Sequence, residues 1–218
     1  MKLYEAIDII ERTPYVFTEE DIHEFEFKVT DRIFDRKRWV ERTLAAVYIE
    51  KWKTLPQKEL LYDSSITVDG DTLAMFWVRQ CKTFPPKELY HDPLLKNEFY
   101  GLTVEMLCIV CIGKLPPIEW MHDKNITSDS EAGLTCEMLW IICTKNPNIP
   151  KEILHDPSMH TYNGDTCAMI WIDVIKSLPP SELIHNPHLK NDRHETCATI
   201  WKKRCQTPVP KCIDDGNT

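Results

Sequence analysis

The chain has 218 residues, 43% of them hydrophobic, and a formal net charge of −8, a composition that suits one or two packed domains. The negative charge argues against a nonspecific nucleic-acid binder, because such proteins release counterions with stripes of Lys and Arg. No apolar run reaches the length of a membrane span, and the start, MKLYEAIDIIER, lacks the pattern of a signal peptide. With nine cysteines, we therefore expect a cytoplasmic protein in a reducing compartment, the cytoplasm of a host cell included.

The first segment, residues 1–40, does not repeat and is predicted to be an N-terminal helical cap. One helix is expected near residues 2–12, and a second after Thr18 in the stretch FTEEDIHEFEF. The charged stretch DRIFDRKR, residues 31–38, completes this segment.

From residue 41 to residue 205, one phrase recurs at intervals of 29–32 residues. Each unit has a threonine, a short apolar run, a proline-rich break and, in most units, a His-Asp or His-Asn pair. Self-similarity at this period predicts a solenoid of stacked units. The motif threonines are Thr43, Thr72, Thr103, Thr135, Thr166 and Thr196.

The apolar run after each threonine predicts a helix that neighbouring units cover before and behind. Threonine is an acceptable N-cap for that helix. The proline pairs that follow, such as Pro85-Pro86 and Pro179-Pro180, predict a short second helix, because proline costs little in a first helical turn. In the last unit, Thr199 and Lys202 replace apolar residues and predict a polar outer face for the final helix. Residues 206–218 are expected to form a C-terminal tail.

This unit resembles the ankyrin repeat. Three features carry the resemblance over residues 41–205: the Gly-x-Thr before the first helix, the predicted helix pair, and connectors rich in Asn and Asp such as KNEFYG. The ankyrin Thr-Pro-Leu-His sequence is replaced by Thr-x-Ala/Glu-Met. The resemblance implies an all-α solenoid of about five helix-turn-helix repeats with capping ends.

The recurring His-Asp pairs and cysteines invite a catalytic or metal-binding hypothesis. His91, His122, His155 and His185 lie about one repeat apart, which is too far for them to share one ion. We expect each His to bond a backbone carbonyl or the next loop, while the residue after it begins a turn. Cysteine alternates with Leu and Val after the motif threonine, which is typical of a small buried hydrophobe. We therefore expect no metal, no cofactor and no stoichiometric zinc, and the isolated Cys108-x-x-Cys111 does not change this.

Departures from the repeat suggest where a partner binds. Glu105 and Glu137 replace the alanine of neighbouring units, and because burying a charge is costly we expect them to face solvent as an acidic patch. The connectors present aromatic and acidic residues that are candidate contacts, although packing between adjacent loops would also explain them. These candidates are Phe99, Tyr100, Glu131 and Tyr162.

The leading hypothesis is a non-enzymatic protein-protein interaction module that presents a concave solenoid surface to another protein. The alternative is a viral or bacterial inhibitor or effector that blocks a basic nucleic-acid-binding or docking surface of a host or defence protein. An enzyme that uses the His-Asp or Cys positions is a third hypothesis. Neither a membrane nor direct nucleic-acid binding is expected.

Overall fold

The computed structural model describes residues 1–18, 20–21, 33–35, 40–61, 67–68, 70–89, 91–130, 132–156, 158–184, 186 and 188–214. Within these ranges the chain is predominantly helical, which confirms the predicted helical class. None of the described helices is long and apolar enough to cross a membrane.

The N-terminal segment begins with the predicted helix, α1 (Leu3–Arg12). It packs on α2 (Leu44–Trp52), where the indole Nε1 of Trp52 donates to the carbonyl of Ile10 at 2.7 Å. Between them, β1 (Ile33–Asp35) pairs antiparallel with β2 (Val40–Arg42). The predicted helix after Thr18 lies mostly outside the described residues, and the strand pair was not among the predicted elements.

A second short strand pair, β3 (Thr67–Val68) with β4 (Asp71–Thr72), precedes the next helix. The Asp-Gly sequence between these strands is a strong hairpin signal, because such residues accept the positive φ of a tight turn. Gly70 has a φ of +76°. The remaining helices are α3 (Leu73–Cys81), α4 (Val104–Ile112), α5 (Cys136–Thr144), α6 (Cys167–Ile175) and α7 (Cys197–Cys205).

The motif threonine caps each of the helices α2 to α7, as predicted. Its Oγ1 accepts a hydrogen bond from the backbone N–H three residues later, for example from Met138 to Thr135 at 3.3 Å. This bond satisfies one of the N–H groups that a helix leaves unpaired at its start. The other five caps are Thr43, Thr72, Thr103, Thr166 and Thr196.

The second helical segment of each unit is shorter than the helix predicted there. It is a single 3-10 turn of three residues that follows the prolines, as in Ile118–Trp120. One residue of each turn is buried against the helices. The other turns are Lys58–Leu60, Lys87–Leu89, Lys151–Ile153 and Ser181–Leu183. A unit therefore has one α-helix and one turn rather than the helix pair that the ankyrin resemblance implies.

Consecutive helices pack against one another in chain order, from α2 through α7. In α5 the first six residues, 136–141, are all buried, as in α2, α3, α4 and α6. These helices are therefore buried on more than one side over their first six residues. The sixth residue after each cap is fully buried in the inner units, whereas the equivalent Lys202 of α7 is exposed, which confirms the predicted polar outer face. Within the predicted C-terminal tail, Ile213 is buried in the same hydrophobic cluster as residues of α6 and α7.

The turns that precede the helices also stack, each on the turn of the unit before it. Backbone hydrogen bonds join Glu98 to Gly70, Tyr162 to Ala132, and Asp192 to Asn163, at 2.9–3.1 Å. We call this row of turns the loop edge; it comprises residues 98–101, 128–130, 132–133, 161–164 and 191–194.

Candidate functional site

The recurring histidines form the hydrogen-bonded ladder predicted from the sequence, at each of the three described. Nδ1 of His91, His122 and His155 lies 2.7–2.8 Å from the carbonyl oxygen of the following residue. A carbonyl only accepts, so Nδ1 carries a proton and donates it. The next Asp accepts a backbone N–H two residues on, as in Asp92 from Leu94 at 2.9 Å, which is the predicted turn. His185 lies outside the described residues.

The Nε2 atoms of these histidines meet different partners. In the unit of His91, Nε2 is 2.7 Å from Oγ1 of the capping Thr72. His122 keeps the same bond, to Thr103 at 2.8 Å. The spacing from Thr135 to His155 is twenty residues instead of nineteen, and no bond to Thr135 forms. Instead, Nε2 of His155 is 3.2 Å from Sγ of Cys167 in the next unit.

The prediction that Glu105 and Glu137 face solvent is wrong. Both residues are only 1% exposed. Each carboxylate accepts the backbone N–H of the histidine in its own unit: Glu105 from His122 at 3.1 Å and Glu137 from His155 at 3.0 Å. The same oxygens lie 3.3–3.4 Å from the histidine Nε2 atoms. These carboxylates can be buried because the unit itself provides a hydrogen-bond donor, the backbone N–H of its histidine. The expected exposure applies to a carboxylate that has no such donor.

Two matched clusters result, each built across the boundary between consecutive units. In each, a glutamate and a histidine from one unit meet a cysteine from the next, and their ligand atoms all lie within 4.8 Å of one another. We call them the first cluster (Glu105, His122, Cys136) and the second cluster (Glu137, His155, Cys167).

Burial dominates the electrostatics of both clusters. It raises the pKa of the Glu137 carboxyl above its ordinary value, while the nearby His155 acts in the opposite direction. Burial also raises the pKa of the Cys167 thiol well above its ordinary value, and the Glu137 charge adds to the effect. The first cluster shows the same directions at Glu105 and Cys136. These thiols are therefore poorly suited to nucleophilic catalysis, which needs a thiolate.

The unit that contains His91 lacks such a cluster and serves as a comparison. It has Ala74 where the clusters have glutamate, and Val104 in the next unit where they have cysteine. Nε2 of His91 still lies within hydrogen-bond distance of the hydroxyl of the capping Thr72. Both units with a glutamate are followed by a unit with a cysteine directly after its threonine. This co-occurrence is the sequence feature that could have indicated the clusters. Cys197 shows that the signal is incomplete, because it follows a unit with Ala168.

The predicted loop contacts lie on the loop edge, and the structure does not bring them to one point. Phe99 is 70% exposed and Tyr162 is 60% exposed, and the turn of residues 128–130 and 132–133 lies between their turns in the chain. Each ring also lies beside the motif glycine of the preceding unit, Gly70 or Gly133, so packing between loops accounts for part of its position. Tyr100 is exposed beside Phe99. Glu131 lies outside the described residues.

A further exposed apolar pair was not predicted. Val110 and Ile142 are the seventh residues after their capping threonines, and they remain 42% and 36% exposed. In the other repeat helices from α3 onward, this position is charged and each side chain forms an ion pair. These pairs are Arg79 with Asp71, Asp173 with Arg204, and Lys203 with Glu195.

Ile142 lines a groove of about 360 Å³ together with Asp165 and Arg193, of which Arg193 belongs to the loop edge.

No protein-family model and no curated protein sequence matches this chain.

Proposed function

We propose that the protein is a non-enzymatic protein-binding module, a capped solenoid of stacked helix-and-turn units that presents one side to another protein. The observation that supports this most directly is the exposed pair Val110 and Ile142. The charged residues at the same position in the flanking units frame this pair. An apolar centre with a charged rim is the usual anatomy of a protein interface, in which a few central residues carry most of the binding free energy.

We propose that the exposed aromatic residues of the loop edge also contact the partner. Phe99 and Tyr100 precede α4, which carries Val110, and Tyr162 belongs to the turn after the unit of Ile142. Tyrosine and phenylalanine bind well from exposed positions because they bury a large area at a small cost in side-chain entropy. We define the contact surface as Val110, Ile142, Phe99, Tyr100 and Tyr162.

The acidic patch expected at Glu105 and Glu137 was a candidate contact for a basic partner, such as the host or defence protein of the alternative hypothesis. Because these residues are buried, that patch does not exist. The net charge of −8 still favours a partner with basic groups around the apolar centre. The contact surface is therefore placed on the apolar pair and the loop edge instead.

Substituting Val110→Glu and Ile142→Glu together is expected to weaken partner binding by about tenfold or more, because central apolar contacts dominate such interfaces. The tagged protein would first capture partners from an extract of the cells that produce it, with quantitative mass spectrometry. Binding of the purified candidate to wild type and variant would then be titrated.

Ile118→Glu is the matched control, because Ile118 is also apolar and exposed but lies in a 3-10 turn outside the contact surface. It should bind as wild type does. A partner that binds the double variant and wild type equally would contradict the proposed surface. Circular dichroism of each variant checks that the helices remain.

A further inference from the structure

The second cluster brings together three different metal-ligand types. Nε2 of His155 is 3.2 Å from Sγ of Cys167 and 3.3 Å from Oε2 of Glu137. In a tetrahedral zinc site with ordinary bond lengths, neighbouring ligand atoms are about 3.4–3.6 Å apart. Two of the three separations therefore already approach those that one ion would impose, and the third, between Sγ of Cys167 and the Glu137 carboxylate, is within 4.8 Å.

The histidine of this cluster is held in the orientation that a metal requires. Its Nδ1–H donates to the carbonyl of Asp156 at 2.7 Å. This bond leaves Nε2, which faces Glu137 and Cys167, as the ring nitrogen available to a metal. Metal-binding histidines in proteins nearly always donate their other ring N–H to a carbonyl or carboxylate in this way.

The carboxylate supplies an independent indication. Oε2 of Glu137 accepts the backbone N–H of His155, but Oε1 is buried and has no hydrogen-bond partner in the part of the chain that the structure describes. A buried acceptor without a partner is costly, and a bound cation is one of the ordinary ways in which such an oxygen is satisfied.

We propose that Glu137, His155 and Cys167 bind one zinc ion across the boundary between two consecutive units. Thiolate, imidazole and carboxylate together suit zinc better than magnesium or calcium, which prefer oxygen ligands. The three ligands leave a fourth position, and a cavity of about 200 Å³ beside the cluster, with Lys124 and Glu182 in its lining, has room for a water there. Binding releases the thiol proton of Cys167 to solvent.

The first cluster is a built-in comparison with the same residue types. There Nε2 of His122 is occupied by the Thr103 hydroxyl at 2.8 Å, and Sγ of Cys136 is farther away, at 3.9 Å. An ion would have to displace the threonine bond, so the first cluster binds zinc more weakly than the second.

This proposal replaces the sequence-based expectation of no metal. That expectation compared the histidines with one another and treated the cysteines as small buried hydrophobes. The structure shows that the relevant partners are a glutamate from the same unit and a cysteine from the next.

The test is a titration of the reduced, metal-free full-length protein with Zn²⁺ and, for its thiolate charge-transfer absorption, with Co²⁺. Wild type should bind one tight equivalent and show the cobalt–thiolate band. Substitutions outside the ligand set of a metal site weaken metal binding by about 10–100-fold. Glu137→Gln and Cys167→Ser change ligands themselves, so each should weaken zinc binding by more than that.

Cys136→Ser, in the first cluster, and Cys197→Ser, at the same repeat position without a glutamate partner, should keep the tight equivalent and the band. Wild type that binds no zinc would overturn the proposal, as would a tight equivalent that survives both Glu137→Gln and Cys167→Ser. Circular dichroism of the metal-free variants separates loss of a ligand from loss of the fold. Glu137→Gln keeps the size of the side chain, so it disturbs the buried site little.

Discussion

Substituting Gly101→Ala is expected to lower the free energy of unfolding by about 2–5 kcal/mol, from left-handed backbone strain and overpacking together. Gly101 has a φ of +59°, and a Cβ atom there would lie 2.3 Å from the backbone nitrogen of Asp129 in the next turn of the loop edge. Backbone cannot move aside as a flexible side chain does, so the two turns would have to separate. Urea unfolding of wild type and variant measures the difference.

Gly113→Ala is the matched control. Gly113 also has a positive φ, +72°, but the nearest atom to an added Cβ is 3.9 Å away, so only the strain of about 1–2 kcal/mol applies. Lys53, Lys82, Lys145 and Lys176 occupy the equivalent position in other units with φ of 53–58°. An equal loss of stability in both variants would show that the close approach of the turns does not matter.

The last unit has a different residue at the position of the motif glycine. His194 takes the place of the motif glycine in the last unit, keeps a φ of +59°, and is exposed. Its exposure shows that a side chain is tolerated there. The stacking of one turn on the next, more than φ alone, explains why the inner units have glycine.

The second large effect is expected from Ile141→Ala, which should destabilise the protein by about 2–5 kcal/mol, the usual result of truncating a fully buried aliphatic side chain. Ile141 is the sixth residue after its cap and is buried where α5 packs on α6. Because this residue belongs to a middle unit, the cavity would weaken the contact between the two halves of the stack.

Lys202→Ala tests the same repeat position in α7. Lys202 is exposed on α7, so its truncation should change stability by no more than about 0.5 kcal/mol. The comparison uses the midpoints of urea unfolding for both variants. If Ile141→Ala were as mild as Lys202→Ala, the helices would not pack in chain order as described.

Much of the fold follows from features that are local in sequence. The threonine caps, the helices behind them and the polar end of α7 depend on residues within one unit, so a repeated pattern predicts them well. The 3-10 turns were harder, because a proline-led stretch such as PPKELYH starts a helical turn without indicating how far it continues. The short strand β1 lies in a charged stretch with no clear strand pattern.

The candidate zinc site was harder to predict for a different reason. Glu137 and His155 are eighteen residues apart and Cys167 follows twelve residues later, so their meeting depends on how one unit sits on the next. The cost of burying a carboxylate suggested solvent exposure, and that argument fails when the unit itself provides an N–H donor. Val110 and Ile142 were overlooked because an apolar residue near a helix end is ordinary, and only the ion pairs at the same position in other units set them apart.

X-ray absorption at the zinc edge tests most directly the claim that consecutive units share one ion through Glu137, His155 and Cys167. For the protein loaded with one equivalent of zinc, we expect one sulfur ligand at about 2.3 Å and nitrogen or oxygen ligands at about 2.0–2.2 Å. The sulfur signal should disappear in Cys167→Ser. Two or more sulfur ligands per zinc, or none, would contradict the claim, because the second cluster contains a single cysteine.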